Sequence, residues 1–93
     1  MTGKQYMHLV HALPCVVCTE LGETQTSHTQ AHHVREGQGM SQRAQDWLTI
    51  PLCEDCHTGR SGIHGDRSRW RLACMDEMDA LAWTIERMAN RDA

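Results

Sequence analysis

A chain of 93 residues has room for one domain, and a domain this small buries little apolar surface. Apolar residues make up 40% of it, with three Trp, one Tyr and no Phe, so a staple such as a bound metal is expected to supplement a lean core. The formal charge is -3 and no apolar run approaches the roughly 18 residues of a membrane helix, which excludes a transmembrane chain and argues against a simple polycationic nucleic-acid binder.

The first predicted element is a helix over residues 3–12, with Tyr6, Met7, Leu9 and Val10 as its apolar positions and Pro14 as its stop. Lys4, His8 and His11 interrupt this stretch, which therefore lacks a secretory core, and the expected compartment is the cytoplasm. Cys15-Val-Val-Cys18 reads as a tight turn, and the polar residues 19–29 as a loop. A strand is expected over 30–34. Residues 35–46, with Gly37 and Gly39, read as a flexible loop. The β-branched run 47–52 predicts a second strand, with Pro51 placing its end at a sheet edge. Glu54 opens a short helix that Gly59 and Gly62 stop. Asp66 can cap a helix running to about Cys74. Asp76, with Asp79 three residues on, can cap a last helix to about Asn90. On that helix Met78, Leu81, Ala82, Ile85, Met88 and Ala89 recur at helical spacing and are expected to face the core.

The cysteines carry the strongest chemical signal. In a reducing compartment the five cysteines read as ligands plus a spare rather than as disulfides. Cys15/Cys18 and Cys53/Cys56 are two Cys-x-x-Cys units, and each can offer two thiolates from a single turn. Four thiolates complete a tetrahedral structural Zn²⁺ site, which would add the stability that the small core lacks. The order of turn, hairpin and helix start is the layout of a treble-clef zinc finger. The fold class is thus α+β with flanking helices, a single domain over 1–93: an N-terminal helix in 1–14, a zinc knuckle, hairpin and metal-binding helix in 15–65, and C-terminal helices in 66–93. Cys74 stands alone on a predicted helix and is expected to pack as a small buried hydrophobe. A redox role for the Cys-x-x-Cys pairs is the competing reading. It needs a zinc-free protein with reversible disulfides.

The histidines are the second signal. His32 and His33 are adjacent on a predicted strand, so their side chains point to opposite faces. His57 follows Cys56 directly, and His64 sits between Gly62-Ile63 and Gly65, where glycine permits close backbone approach. Imidazoles from His32, His57 and His64 can converge on one divalent ion with open positions, leaving His33 to deprotonate a water. The plain alternative is that some of these are surface histidines. His8, His11 and His28 are expected to be exposed, with His28 as a spare ligand candidate. The cations are unevenly placed. Arg60, Arg67, Arg69 and Arg71 lie in a stretch with one acid, Asp66, while the segment after Cys74 is acidic. Arginine suits bidentate phosphate contacts.

The string Cys15-x2-Cys18, Ala31-His32-His33-Val34-Arg35, Leu52-Cys53-x2-Cys56-His57 resembles the HNH endonucleases of the ββα-metal class. More narrowly, HHVREGQGM followed by WLTIPLCEDCHTGRSGIHG is similar to the bacteriophage recombination-enhancement, RecA-dependent nuclease family, and the similarity spans residues 8–72. The resemblance implies a DNA endonuclease that hydrolyses phosphodiester bonds in phage or prophage recombination, with a zinc knuckle holding the site. It implies His33 as general base, His32 and His57 as ligands of a catalytic Mg²⁺ or Mn²⁺, and His64 as a ligand or phosphate contact. An imidazole-rich site would also hold Zn²⁺ or Ni²⁺. DNA is the implied partner, contacted by Arg35, Arg43, Arg60, Arg67 and Arg69 and delivered by a host RecA filament. The Asn of the HNH name is missing from the hairpin, since the only Asn is Asn90, and Asp46 stands as its candidate substitute. The alternative from another class is a non-catalytic zinc module that binds nucleic acid or protein through the arginines.

Overall fold

The computed structural model describes residues 1–36 and 44–91, and the glycine-containing stretch between them lies outside the described residues. The chain order is α1 (Gly3–Val10), α2 (Val16–Leu21), β1 (Thr29–His33), β2 (Thr49–Cys53), α3 (Glu54–His57), α4 (Ser68–Leu72) and α5 (Glu77–Asn90). It is a small α+β arrangement around a two-stranded antiparallel sheet. The register pairs Thr29 with Cys53 and His33 with Thr49, so the start of β1 lies beside the second cysteine pair. No helix among the described residues is long and apolar enough to cross a membrane.

A capping box opens α1. The Gln5 N–H donates to Thr2 Oγ1 at 3.1 Å and the Thr2 N–H donates to Gln5 Oε1 at 2.8 Å. Tyr6 and Val10 face inward, and Tyr6 packs on Trp47 with ring centroids 5.1 Å apart. The helix stops at Val10, short of residue 12, and tighter turns carry the chain to Pro14.

The first cysteine pair departs from expectation. It is the start of a helix, not a bare turn. Cys15 is the N-cap of α2 and its sulfur accepts the Cys18 N–H at 3.5 Å. Valine is an indifferent helix former, but Val16 and Val17 are both fully buried, and packing overrides propensity. The polar stretch after α2 is organised by Gln25, which accepts the Cys15 N–H at 2.7 Å and donates to Ser27 O and Thr29 Oγ1.

β2 starts two residues later and ends one residue later than the expected 47–52, and Cys53 is both its last residue and the N-cap of α3. After α3 the chain folds back on itself. The Ile63 N–H donates to Cys56 O at 2.9 Å and the His64 N–H to His57 O at 3.0 Å. A Cβ on Gly62 would meet Cys56 carbonyl carbon at 2.7 Å, and one on Gly65 would collide with Arg60 O, so glycine is required for this return. Trp70 on α4 seals the fold by donating its indole N–H to Cys56 O at 3.0 Å.

The C-terminal third needs two corrections. The Asp66 carboxylate accepts the Ser68 N–H at 2.9 Å, but the N-cap of α4 is Arg67, not Asp66, and the helix ends at Leu72. Cys74 lies beyond it, exposed and left-handed with φ 55°, so it is not a buried helix residue. On α5 the Asp76–Asp79 capping box and the extent to Asn90 match the expectation. Its inward face does not. Glu77, Ala80, Leu81 and Thr84 are buried, while Met78 and Ile85 are 49% and 50% exposed. Of the expected stripe Leu81 is buried and Met88 half-buried, with Ala82 and Ala89 exposed. The helix is turned by about one residue, roughly 100°, because its first residue is anchored inside. Thr84 tolerates burial by donating its hydroxyl to Ala80 O at 2.8 Å.

Candidate active site

Two clusters of ligand-type side chains lie in the described residues: Cys15, Cys18, Cys53 and Cys56, and His32, His57 and His64. The cysteine cluster forms where two helix starts meet. Each Cys-x-x-Cys unit uses the same device, one cysteine at the N-cap and the other in the first turn. All four are buried, and their sulfurs lie within 4.8 Å of one another, with Cys18 Sγ 3.7 Å from Cys53 Sγ and 3.9 Å from Cys56 Sγ. A tetrahedral Zn²⁺ with Zn–S of about 2.3 Å has sulfur–sulfur edges of about 3.8 Å, so the group fits a structural metal such as zinc.

The thiol electrostatics fit too. The hydrogen bond from Cys56 holds the Cys15 thiol down to about 5, whereas burial, with the Cys15 charge beside it, pushes Cys18 up to about 12. Cys56 is also pushed up, first by its bond to Cys15 and then by burial. One thiolate thus suppresses ionisation of its neighbours, and only a cation lets all four ionise together. Arg69 supplies part of that positive charge, with Nε donating to Cys56 Sγ at 3.3 Å and Nη2 to Cys18 Sγ at 3.6 Å.

The histidine cluster is built from three different segments. β1 carries His32, the end of α3 carries His57, and the glycine-flanked return carries His64. The backbone bonds of that return set His64 over His57. Ring centroids are 4.9 Å apart for His32–His57, 5.1 Å for His32–His64 and 4.9 Å for His57–His64. His32 is buried and His57 half-buried, while His64 is exposed. Burial lowers His32 in spite of a neighbouring carboxylate. Burial first, then His32 and His64, lowers His57 to about 4. Both imidazoles are therefore neutral near pH 7, the form that binds a metal.

Their outer nitrogens are already engaged. His32 Nε2 donates to Glu77 Oε2 at 2.8 Å, and His57 Nδ1 donates to Gln30 Oε1 at 2.7 Å. That leaves His32 Nδ1 and His57 Nε2 facing each other at 3.1 Å with two lone pairs and no proton assigned between them. A shared cation would remove that repulsion, and 3.1 Å is close to the ligand–ligand edge expected for imidazole nitrogens about 2.1 Å from one ion. Neither Glu77 nor Gln30 is evident in the sequence as a site residue. Glu77 follows a capping Asp on an acidic segment and reads as a helix-dipole residue; Gln30 reads as an ordinary strand polar residue.

His33 stays out of that cluster, as strand alternation requires. Its Nε2 lies 2.8 Å from Asp46 Oδ1. With the proton on Nε2 donated to the carboxylate, Nδ1 carries the lone pair. His33 nonetheless borders the same cavity of about 180 Å³ as His32, His57 and His64, with Ala31 and Arg35 completing its wall. Of the arginines singled out in the sequence, Arg35 therefore lies at the cavity, and Arg60 is exposed. Arg67 is left-handed at φ 62° and donates Nε to Ile63 O at 3.1 Å. Arg69 is turned onto the cysteine sulfurs and Glu23. Arg43 lies outside the described residues. His8, His11 and His28 are exposed and join neither cluster.

A small α+β domain with a buried cysteine cluster able to hold a metal is the class that fold and site define. Residues 1–89 match the model of the family described as "Protein of unknown function (DUF968)", and the chain belongs to that family. No curated protein and no solved structure matches it.

Proposed function

We propose that this chain is a metal-dependent DNA endonuclease of the HNH, ββα-metal type, built on a treble-clef zinc domain and acting in phage or prophage recombination on DNA delivered by a RecA-type filament. The observation that carries the reading is the pairing of a carboxylate-held histidine, His33 with Asp46 at 2.8 Å, with three converging imidazoles around one cavity.

The roles follow from the donors. Cys15, Cys18, Cys53 and Cys56 hold zinc and fix the start of α3, and with it His57. His32, His57 and His64 hold the second ion. A divalent cation held by these three imidazoles would supply Lewis-acid polarisation of a phosphate oxygen and charge stabilisation at the leaving 3′ oxygen. His33 takes the proton of the attacking water on Nδ1, and Asp46 holds the imidazole in the tautomer that makes Nδ1 basic and stabilises the imidazolium that results. Asp46 thereby does the orienting work of the missing Asn. Arg35, at the cavity wall, is placed to meet a phosphate of the strand being cut. Between the two expected ions the donor set favours Mn²⁺, because Mg²⁺ prefers oxygen ligands and retains its water. Zn²⁺ and Ni²⁺ suit three imidazoles as well.

The test is a cleavage assay on single-stranded, duplex and recombinase-coated DNA with Mg²⁺, Mn²⁺, Ni²⁺ and no added metal. Metal-dependent scission that His33→Ala abolishes supports the reading. DNA retention without scission in every metal would assign the domain to the non-catalytic zinc modules.

A further inference from the structure

Glu77 is the first residue of a helix whose other acids are solvated, yet it is only 7% exposed. Its carboxylate accepts three hydrogen bonds. Oε2 takes the His32 Nε2–H at 2.8 Å and the Arg35 N–H at 2.7 Å, and Oε1 takes the Glu36 N–H at 3.1 Å. The backbone donors cannot give up their protons, so both oxygens are fixed in place by the chain that leaves β1. Burying a carboxylate is costly unless it is hydrogen-bonded, and here two amides and an imidazole donate to its two oxygens.

We infer that Glu77 is the positioning residue of the three-histidine site: it locks His32 in the Nε2–H tautomer, so that the Nδ1 lone pair faces His57. It deepens the reading of His32, His57 and His64 as a metal site and rests on it. A neutral imidazole carries one proton on either nitrogen, and the wrong tautomer would aim an N–H at the ion. A carboxylate fixed 2.8 Å from Nε2 removes that freedom. The same contact explains the rotation of α5. A helix turned so that Met78 and Ile85 were buried would swing Glu77 away from the hairpin. The amides of Arg35 and Glu36, the His32 ring and the start of α5 thus share a single carboxylate.

Two measurements on the full, zinc-loaded chain test this. The first is the tautomer of His32 before any second ion is added, read from long-range nitrogen–proton NMR correlations; Nε2–H is expected. The second is Co²⁺ titration of the parent and of Glu77→Gln, followed by calorimetry, with zinc content and melting temperature measured in parallel. The Gln variant should retain zinc while its Co²⁺ affinity falls on the order of 10- to 100-fold, the range for loss of a carboxylate behind a ligating histidine. A parent with the His32 proton on Nδ1 overturns the assignment, as does a Gln variant that binds Co²⁺ as tightly as the parent. Should the Gln variant fail to fold, the tautomer in the parent still decides. A parent that takes up no Co²⁺ at the histidines sinks the metal-site reading itself, an outcome distinct from equal binding by parent and variant.

Discussion

The cysteine and histidine clusters are neighbours in sequence, since Cys56 and His57 are adjacent, yet the fold treats them in opposite ways. Cys15, Cys18, Cys53 and Cys56 are all buried, and Arg69, Trp70 and the valines of α2 close over them. His32, His57 and His64 run from buried through half-buried to exposed along the wall of a cavity. A closed four-ligand set leaves no position for a substrate and can only hold structure. A three-ligand set open on one side leaves positions for water or phosphate. A single peptide bond thus separates a residue of the buried cysteine cluster from one at the cavity wall. What separates them physically is the helix: Cys56 and His57 lie about 100° apart around α3, so one faces the core and the other the cavity.

The largest break in this comparison should come from the closed cluster. Cys53→Ser, or exhaustive zinc chelation, should unfold the domain, since a structural zinc contributes on the order of 10 kcal/mol to folding of a small domain. Circular dichroism with metal analysis checks it, and a chelated chain that melts as the untreated one does would remove zinc from the account of stability. Next in size is His33→Ala. It should lower cleavage by about 10²- to 10⁴-fold with zinc content and melting temperature unchanged. His57→Ala should behave differently, because a ligand can be compensated by mass action. Single-turnover rates against Mn²⁺ concentration should rise towards the parent for His57→Ala and stay flat for His33→Ala. Equal rescue of both would make His33 a ligand and leave the base unassigned.

Smaller effects sharpen the same contrast. Arg69→Ala should cost about 1 to 2 kcal/mol in urea denaturation, because its guanidinium bonds to sulfur at 3.3 and 3.6 Å are partly screened by solvent. It should leave DNA affinity nearly unchanged, whereas Arg35→Ala should weaken DNA binding with little loss of stability. Smallest of all, Cys74→Gly should be neutral or stabilising by up to about 1 kcal/mol, since it relieves a left-handed backbone at an exposed site. A clear loss of stability there would restore the core role that its sequence context suggested.

Several features were readable from one chain because they depend on local spacing. The doubled Cys-x-x-Cys, the alternation that separates His32 from His33 and the Asp76–Asp79 cap are each decided within a few residues. The glycines around His64 belong with them, because close backbone return needs the absence of a side chain wherever it occurs. Asp46 stood out only as an acid just ahead of a strand, and its 2.8 Å contact with His33 depends on a loop closing. What tertiary structure alone decided are matters of which face turns inward. The Cys15 unit became a helix because burial of Val16 and Val17 outweighed their weak helix propensity. Helix α5 turned away from its apolar stripe with Glu77 anchored by His32 and by the amides of Arg35 and Glu36 just past β1. Cys74 was left in solvent because α4 ended at Leu72, two residues short of its expected end. Local sequence determines which ligands can share a turn; only packing of distant segments decides which carboxylate stands behind His32, because that contact spans 45 positions of chain and no short-range pattern encodes it.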